Sequence, residues 1–138
     1  PTGAAIAGHS PAGGALMATC CDYRAMVASD KFTIGLNEAK FGLIAPFWFM
    51  DSFRNTVGTL PQTIFLSFCV QAYFFSSSYS GQRETEYALL NGKLYSVSEA
   101  HKIGLIDKIV QNQEEAVSEC KKEIMQQLQC VPMSYVTI

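Results

Sequence analysis

The run Gly8-His9-Ser10-Pro11-Ala12-Gly13-Gly14-Ala15-Leu16 sets the tightest limit on what this chain can fold into. Before it, Thr2 to Ala7 is a short apolar segment bounded by glycines and reads as a buried strand entering a turn at Gly8. Ser10 is a good N-cap and Pro11 suits a first helical position, so the spacing predicts a helix from about Pro11 to Cys20. The N–H groups of Ala12, Gly13 and Gly14 would then leave the helix start without carbonyl partners. Gly13 carries no side chain, so a ligand oxygen can approach its N–H, and the helix dipole adds partial positive charge there. Such a site suits a developing oxyanion, although the same residues also make an ordinary helix start.

A second feature lies in Ile34-Gly35-Leu36-Asn37-Glu38-Ala39-Lys40-Phe41-Gly42-Leu43-Ile44-Ala45-Pro46-Phe47-Trp48. Glu38 stands there among apolar and glycine positions. Burial would raise the pKa of such a carboxyl toward a range useful for moving protons. An isolated glutamate of this kind is otherwise an exposed edge residue.

Around these two features the chain reads as α/β. Asp22 to Ser29 and Lys31 to Ile34 are strands, and Pro46 opens a helix with Phe47, Trp48, Phe49, Met50 and Phe53 on an aromatic face, ended by Gly58. Gln82 to Asn91 is helical with Gly92 as its stop. Ser96-Val97-Ser98-Glu99 has capping-box spacing and opens a short helix that Gly104 closes. Leu105 to Val110 makes a strand, and Glu114 to Leu128 an amphipathic helix with apolar Ala116, Val117, Cys120, Ile124 and Leu128, stopped by Pro132.

One block departs from this alternation. Asn55 to Gln82 contains no charged residue, and Ile64 to Phe75 is dense in aromatic and aliphatic side chains. A membrane-spanning helix needs about 20 predominantly apolar residues, and Pro61, Gln62, Thr63, Ser67 and Gln71 interrupt this one. Association with a membrane is therefore the weakest reading, behind a buried insertion or a stretch foreign to the ancestral fold.

With 138 residues the chain is one domain at most, and a hydrophobic share of 49% against 16% charged residues describes a folded rather than a disordered one. Ten scattered basic residues and a net charge of -2 offer nucleic acid no basic stripe. Five cysteines (Cys20, Cys21, Cys69, Cys120, Cys130) form no C-x-x-C pair, and two histidines add no metal-ligand spacing, so reduced thiols and no metal are expected. Cys20 and Cys21 read as core thiols, and His9 and His101 as structural, since neither pairs with a nucleophile pattern.

Taken together, Ala4-Ala5-Ile6-Ala7-Gly8 with Pro11-Ala12-Gly13-Gly14, Cys21-Asp22-Tyr23-Arg24, Ile34-Gly35-Leu36-Asn37-Glu38 and Gly42-Leu43-Ile44-Ala45-Pro46-Phe47-Trp48 resemble the crotonase (enoyl-CoA hydratase/isomerase) superfamily, and within it the mitochondrial Δ3,Δ2-enoyl-CoA isomerases. Ala100-His101-Lys102-Ile103-Gly104-Leu105-Ile106-Asp107 resembles a later helix, turn and strand of the same superfamily. The resemblance covers residues 3 to 58 and about 82 to 125. It implies an α/β fold made of β-β-α spiral turns, a homotrimeric assembly, and an acyl-CoA substrate whose thioester enolate is stabilised by backbone N–H groups. By position, Gly13 would be one oxyanion donor, Asn37 would line the acyl site, and Glu38 would be the catalytic carboxylate. Leu16 stands where hydratases of the superfamily place a second glutamate, and an apolar side chain cannot activate water.

The implied activity is the shift of a 3-enoyl-CoA double bond to the 2-position in fatty-acid β-oxidation, with coenzyme A as part of the substrate and no separate cofactor. The mitochondrial matrix is the implied compartment, with the peroxisome as the other. Residues 1–138 read as a partial crotonase-like domain, lacking N-terminal sequence that holds the second oxyanion donor and the helices at the C-terminal end. An uncharged insertion at about 59–80 resembles translated intron in composition. The competing readings are a catalytically inactive crotonase-like remnant acting in binding or assembly, and a membrane-associated piece using the uncharged block.

Overall fold

The structure, a computed structural model, describes residues 1–57 and 85–129. The uncharged stretch at 59–80, Gly58 and Pro132 lie outside the described residues. Three parallel strands form the first sheet in the order β1 (Gly3–Ile6), β3 (Tyr23–Val27) and β6 (Lys108–Val110). A smaller sheet joins β2 (Ser10–Pro11), β4 (Thr33–Gly35) and β5 (Tyr95–Ser96), with β2 parallel and β5 antiparallel to β4.

Successive side chains of a strand point to opposite faces, and β3 uses both. Met26, in register with Ile6 and Ile109, faces the larger core, which also holds Ala15 and Ala18 of α1 (Gly13–Thr19), Phe53 of α2 (Phe47–Thr56) and Ala100 of α4 (Val97–Lys102). Ala25 faces a second cluster with Val110 and with Ala116 and Cys120 of α5 (Gln113–Gln129). The sheet is thus covered on both sides, as an α/β arrangement requires.

Two neighbouring strands far apart in sequence, β3 and β6, are tied together by side chains. Arg24 donates from Nη2 to Asp107 Oδ1 at 3.1 Å and forms an ion pair with Oδ2 at 2.9 Å, while the backbone N–H of Arg24 donates to Oδ2 at 2.8 Å. In return the Asp107 N–H donates to the Arg24 carbonyl at 2.9 Å.

Most sequence expectations find their element. The capping box at Ser96 and Glu99 is present with both of its bonds, Gly92 follows α3 (residues 85–91), and α5 covers the predicted amphipathic span. Four expectations need correction. Ser10 and Pro11 are not the cap and first turn of α1 but a short strand, because their backbone joins the parallel ladder opposite Ile34 and Gly35. The segment Thr2 to Ala7 is not a buried strand: β1 lies at the edge of its sheet and only Ile6 is buried. Leu105 to Val110 is strand only from Lys108 onward, since the preceding backbone closes the turn after α4. Cys20 is exposed and Cys21 half-buried at the end of α1, so neither is a core thiol.

Among the described residues, no helix is long and apolar enough to cross a membrane.

Candidate active site

Parallel pairing of β2 with β4 decides what meets what. Both strands run the same way, so the segments that leave them emerge at one end of the small sheet. From β2 the chain passes through Ala12 into α1; from β4 it passes through Leu36 and Asn37 into a 3-10 turn, Glu38–Phe41. The Ala12 N–H donates to the Gly35 carbonyl at 2.8 Å and pins the two exits together. Gly13 is one residue beyond that bond and Glu38 three beyond it, a chain reach of roughly 10 Å.

Ala12 holds φ 49 and ψ -117, the only positive φ among the described non-glycine residues. An L-residue there is strained, and the β2 ladder before it, its own N–H bond to Gly35 and the helix after it hold the conformation. This kink starts α1 at Gly13. Lacking a carbonyl one turn back, the Gly13 N–H is unbonded within the helix, and a Cβ on Gly13 would meet nothing within 4 Å. There is open space on this side of the helix start. Gly14 differs, since its Cβ would lie 2.8 Å from Ser10 Oγ, a buried hydroxyl tucked under the first turn.

Glu38 is half-buried. Its Oε2 is shielded from solvent and has no hydrogen-bond partner among the described residues. A carboxylate oxygen kept from both water and protein donors is left with an unmet hydrogen-bonding capacity. Asn37 is also half-buried; its side chain does not cap the 3-10 turn, while its carbonyl accepts from the Lys40 N–H at 3.1 Å. Leu16 sits one turn along α1 from Gly13, half-buried and apolar.

After Glu38 the chain exposes Phe41, Leu43, Ile44, Phe47 and Trp48. The aromatic face assigned to α2 is therefore divided: Phe53 is buried, while Phe47 and Trp48 face outward. The two histidines serve local structure. His9 Nδ1 is 3.2 Å from Thr33 Oγ1 with its ring edge-on to Phe32, and His101 Nδ1 is 3.2 Å from the Ile106 carbonyl.

The sequence profile of the enoyl-CoA hydratase/isomerase family matches residues 1–72, which include β2, the Gly13 helix start and Glu38. The chain belongs to this family. Enoyl-CoA delta isomerase 1, mitochondrial, of Mus musculus is 44% identical over 106 residues, 77% of this chain and 29% of the mouse protein; that of Homo sapiens is 37% identical over 106 residues, 28% of its length. The chain spans less than a third of each of these relatives. The crystal structure of human mitochondrial delta3-delta2-enoyl-CoA isomerase superposes with a TM-score of 0.67 at 34% identity, covering 91% of this chain and 39% of that one. An enoyl-CoA hydratase from Mycobacterium marinum reaches a TM-score of 0.70 at 17% identity, covering 97% and 43%, and shares the fold.

The sequence singled out Gly13, Asn37 and Glu38 as candidates, and the structure adds how their backbone is held. Ala12 gave no sign of its positive-φ backbone, Gly35 read only as a glycine near Glu38, and Gly92 only as a helix stop. Both glycines adopt positive φ, +152 and +56, and both lie against neighbouring backbone.

Proposed function

We propose that this chain carries the proton-transfer site of a Δ3,Δ2-enoyl-CoA isomerase. The observation that carries the reading is the pairing of β2 with β4, locked by the Ala12 to Gly35 bond, which sets an open helix-start N–H and a shielded carboxylate oxygen at the same end of one sheet. Identity to enoyl-CoA delta isomerases supports it.

In this mechanism a 3-enoyl-CoA binds with its thioester carbonyl oxygen at the Gly13 N–H and its C2 near Glu38. The Glu38 carboxylate removes a proton from C2. The electron pair moves into a dienolate whose charge rests on the thioester oxygen, where a preorganised donor is worth more than in water. The protonated Glu38 then delivers its proton to C4, and the double bond is left between C2 and C3. One carboxyl group serves both steps, and no water is added. Leu16 keeps the neighbouring position apolar, so nothing there activates water for hydration. Asn37 lines the acyl side of the site. Coenzyme A enters with the substrate, and the scheme uses no other cofactor. The mitochondrial names of the relatives support a mitochondrial compartment; the matrix and a homotrimeric assembly are part of the same proposal.

The test compares two assays on the same protein. Conversion of a 3-enoyl-CoA to the 2-enoyl isomer is the expected activity, with hydration of a 2-enoyl-CoA at least about a hundredfold slower, the usual contribution of one acid–base group. Hydration as fast as isomerisation would overturn the assignment.

A further inference from the structure

The turn after α3 presses on the segment that carries Glu38. Gly92 is buried at φ +56, and a Cβ there would lie 3.2 Å from the Lys40 N, 3.3 Å from the Asn37 carbonyl oxygen and 2.9 Å from Lys40 Cγ. The first two atoms are the donor and acceptor of the bond that closes the 3-10 turn, at 3.1 Å. One residue on, the Lys93 carbonyl packs so tightly on Gly35 that a Cβ on Gly35 would be 2.5 Å from it. Gly35 is also the residue whose carbonyl accepts from Ala12, beside Gly13. The same turn thus bears on the backbone at both ends of the path from the oxyanion donor to the carboxylate.

We propose that Gly92 and Gly35 are positioning residues: their missing side chains let the Gly92-Lys93-Leu94 turn seat against the 3-10 turn and fix where Glu38 presents its carboxyl group. The inference rests on the reading of Glu38 as the proton-transfer group. Gly92 also ends α3, with its N–H donating to the Leu89 carbonyl at 3.3 Å and the Lys93 N–H to the Ala88 carbonyl at 2.9 Å. A loss of helix capping could therefore imitate a loss of positioning, and Gly104 separates the two. Gly104 ends α4 in the same way, at φ 77, with its N–H donating to His101 and the Leu105 N–H to Ala100, far along the chain from the 3-10 turn.

The experiment compares Gly92→Asn and Gly104→Asn in the full chain. Asparagine accepts the left-handed conformation, so both caps survive, but at position 92 its Cβ still meets the 3-10 turn. Isomerase turnover is measured beside the 13C resonance of the Glu38 carboxyl carbon, assigned by its disappearance in Glu38→Gln. The expected result is a drop in kcat of tenfold or more in Gly92→Asn, KM within about threefold of the parent, a displaced Glu38 resonance, and neither change in Gly104→Asn. An unmoved Glu38 resonance in a folded Gly92→Asn, or equal losses in the two variants, would overturn the proposal. If the parent itself has no isomerase activity, the proposed function fails; the resonance still decides whether the turn positions Glu38.

Discussion

At the scale of single residues, the backbone of Ala12 is where the structure adds most to the sequence. Its conformation belongs to glycine, and strain of this kind costs on the order of 1–3 kcal/mol. Ala12→Gly is therefore expected to stabilise the protein by about 1 kcal/mol once the added freedom of glycine in the unfolded chain is set against it, measured by chemical denaturation; a loss of stability would show that the kink is not strained. Gly13 makes the opposite kind of demand. A Cβ there meets nothing within 4 Å, so Gly13→Ala should leave stability within about 1 kcal/mol of the parent, alanine being the better helix former. The methyl group would occupy space beside the N–H to which the proposed mechanism brings the thioester oxygen. Turnover should fall while Tm holds, and a fully active Gly13→Ala would remove Gly13 from the site. Gly13 and Glu38 could be singled out as candidates because a helix start without side chains and a carboxyl among apolar residues are local features, and the resemblance joined them into one proposed site. Ala12 could not, because its φ is imposed by pairing with Gly35, 23 positions away in number (35 − 12).

At the scale of elements, boundaries that depend on local bonds were read well and those that depend on the sheet were not. The box at α4 closes within four residues: the Glu99 N–H donates to Ser96 Oγ, and the Ser96 N–H donates to Glu99 Oε2 at 3.0 Å. These bonds from Ser96 hold the Glu99 carboxyl below its ordinary 4.5. A lowered carboxyl contributes stability that is present above pH 4.5 and is lost as the pH falls through its folded value. Glu99→Gln should accordingly flatten part of the decline of Tm below pH 4.5, and an unchanged acid limb would contradict this. Ser96→Ala should cost about 1 kcal/mol at neutral pH. By contrast Ser10 and Pro11 carry every local mark of a helix start and are strand, because parallel bonds to β4 offer their backbone partners that the sequence nearby does not reveal.

At the scale of the whole molecule, the Arg24–Asp107 linkage joins positions 83 apart in the sequence. The side chains are 11% and 26% exposed, so removing one charge leaves the other poorly hydrated. Asp107→Asn should destabilise the protein by about 2 kcal/mol, in the range of hydrogen bonds to charged groups; a loss below about 0.5 kcal/mol would show that β3 and β6 are held by their ladder and packing alone. On the far side of the same sheet, burial first and then Glu119, Glu123, Asp107 and Cys120 push the Tyr23 hydroxyl up to about 12 from its usual 10.0. The folded state then keeps a proton that the unfolded state loses, so stability should decline between pH 10 and 12, and Tyr23→Phe should lessen that decline.

The α/β class was legible from the alternation of elements, since periodicity is local. Which strands pair, and hence which residues share one end of a sheet, depends on contacts across the chain that local spacing does not carry, as the pairing of Ser10 and Pro11 with β4 shows.

Glu38→Gln asks whether one carboxyl group moves the proton. The amide keeps the size and shape of the side chain but cannot take up the proton. The variant is predicted to bind a 3-enoyl-CoA with a Kd within about threefold of the parent while kcat falls by roughly a thousandfold, within the span of general acid–base contributions. Turnover within tenfold of the parent in a folded Glu38→Gln protein would mean that Glu38 does not carry the proton.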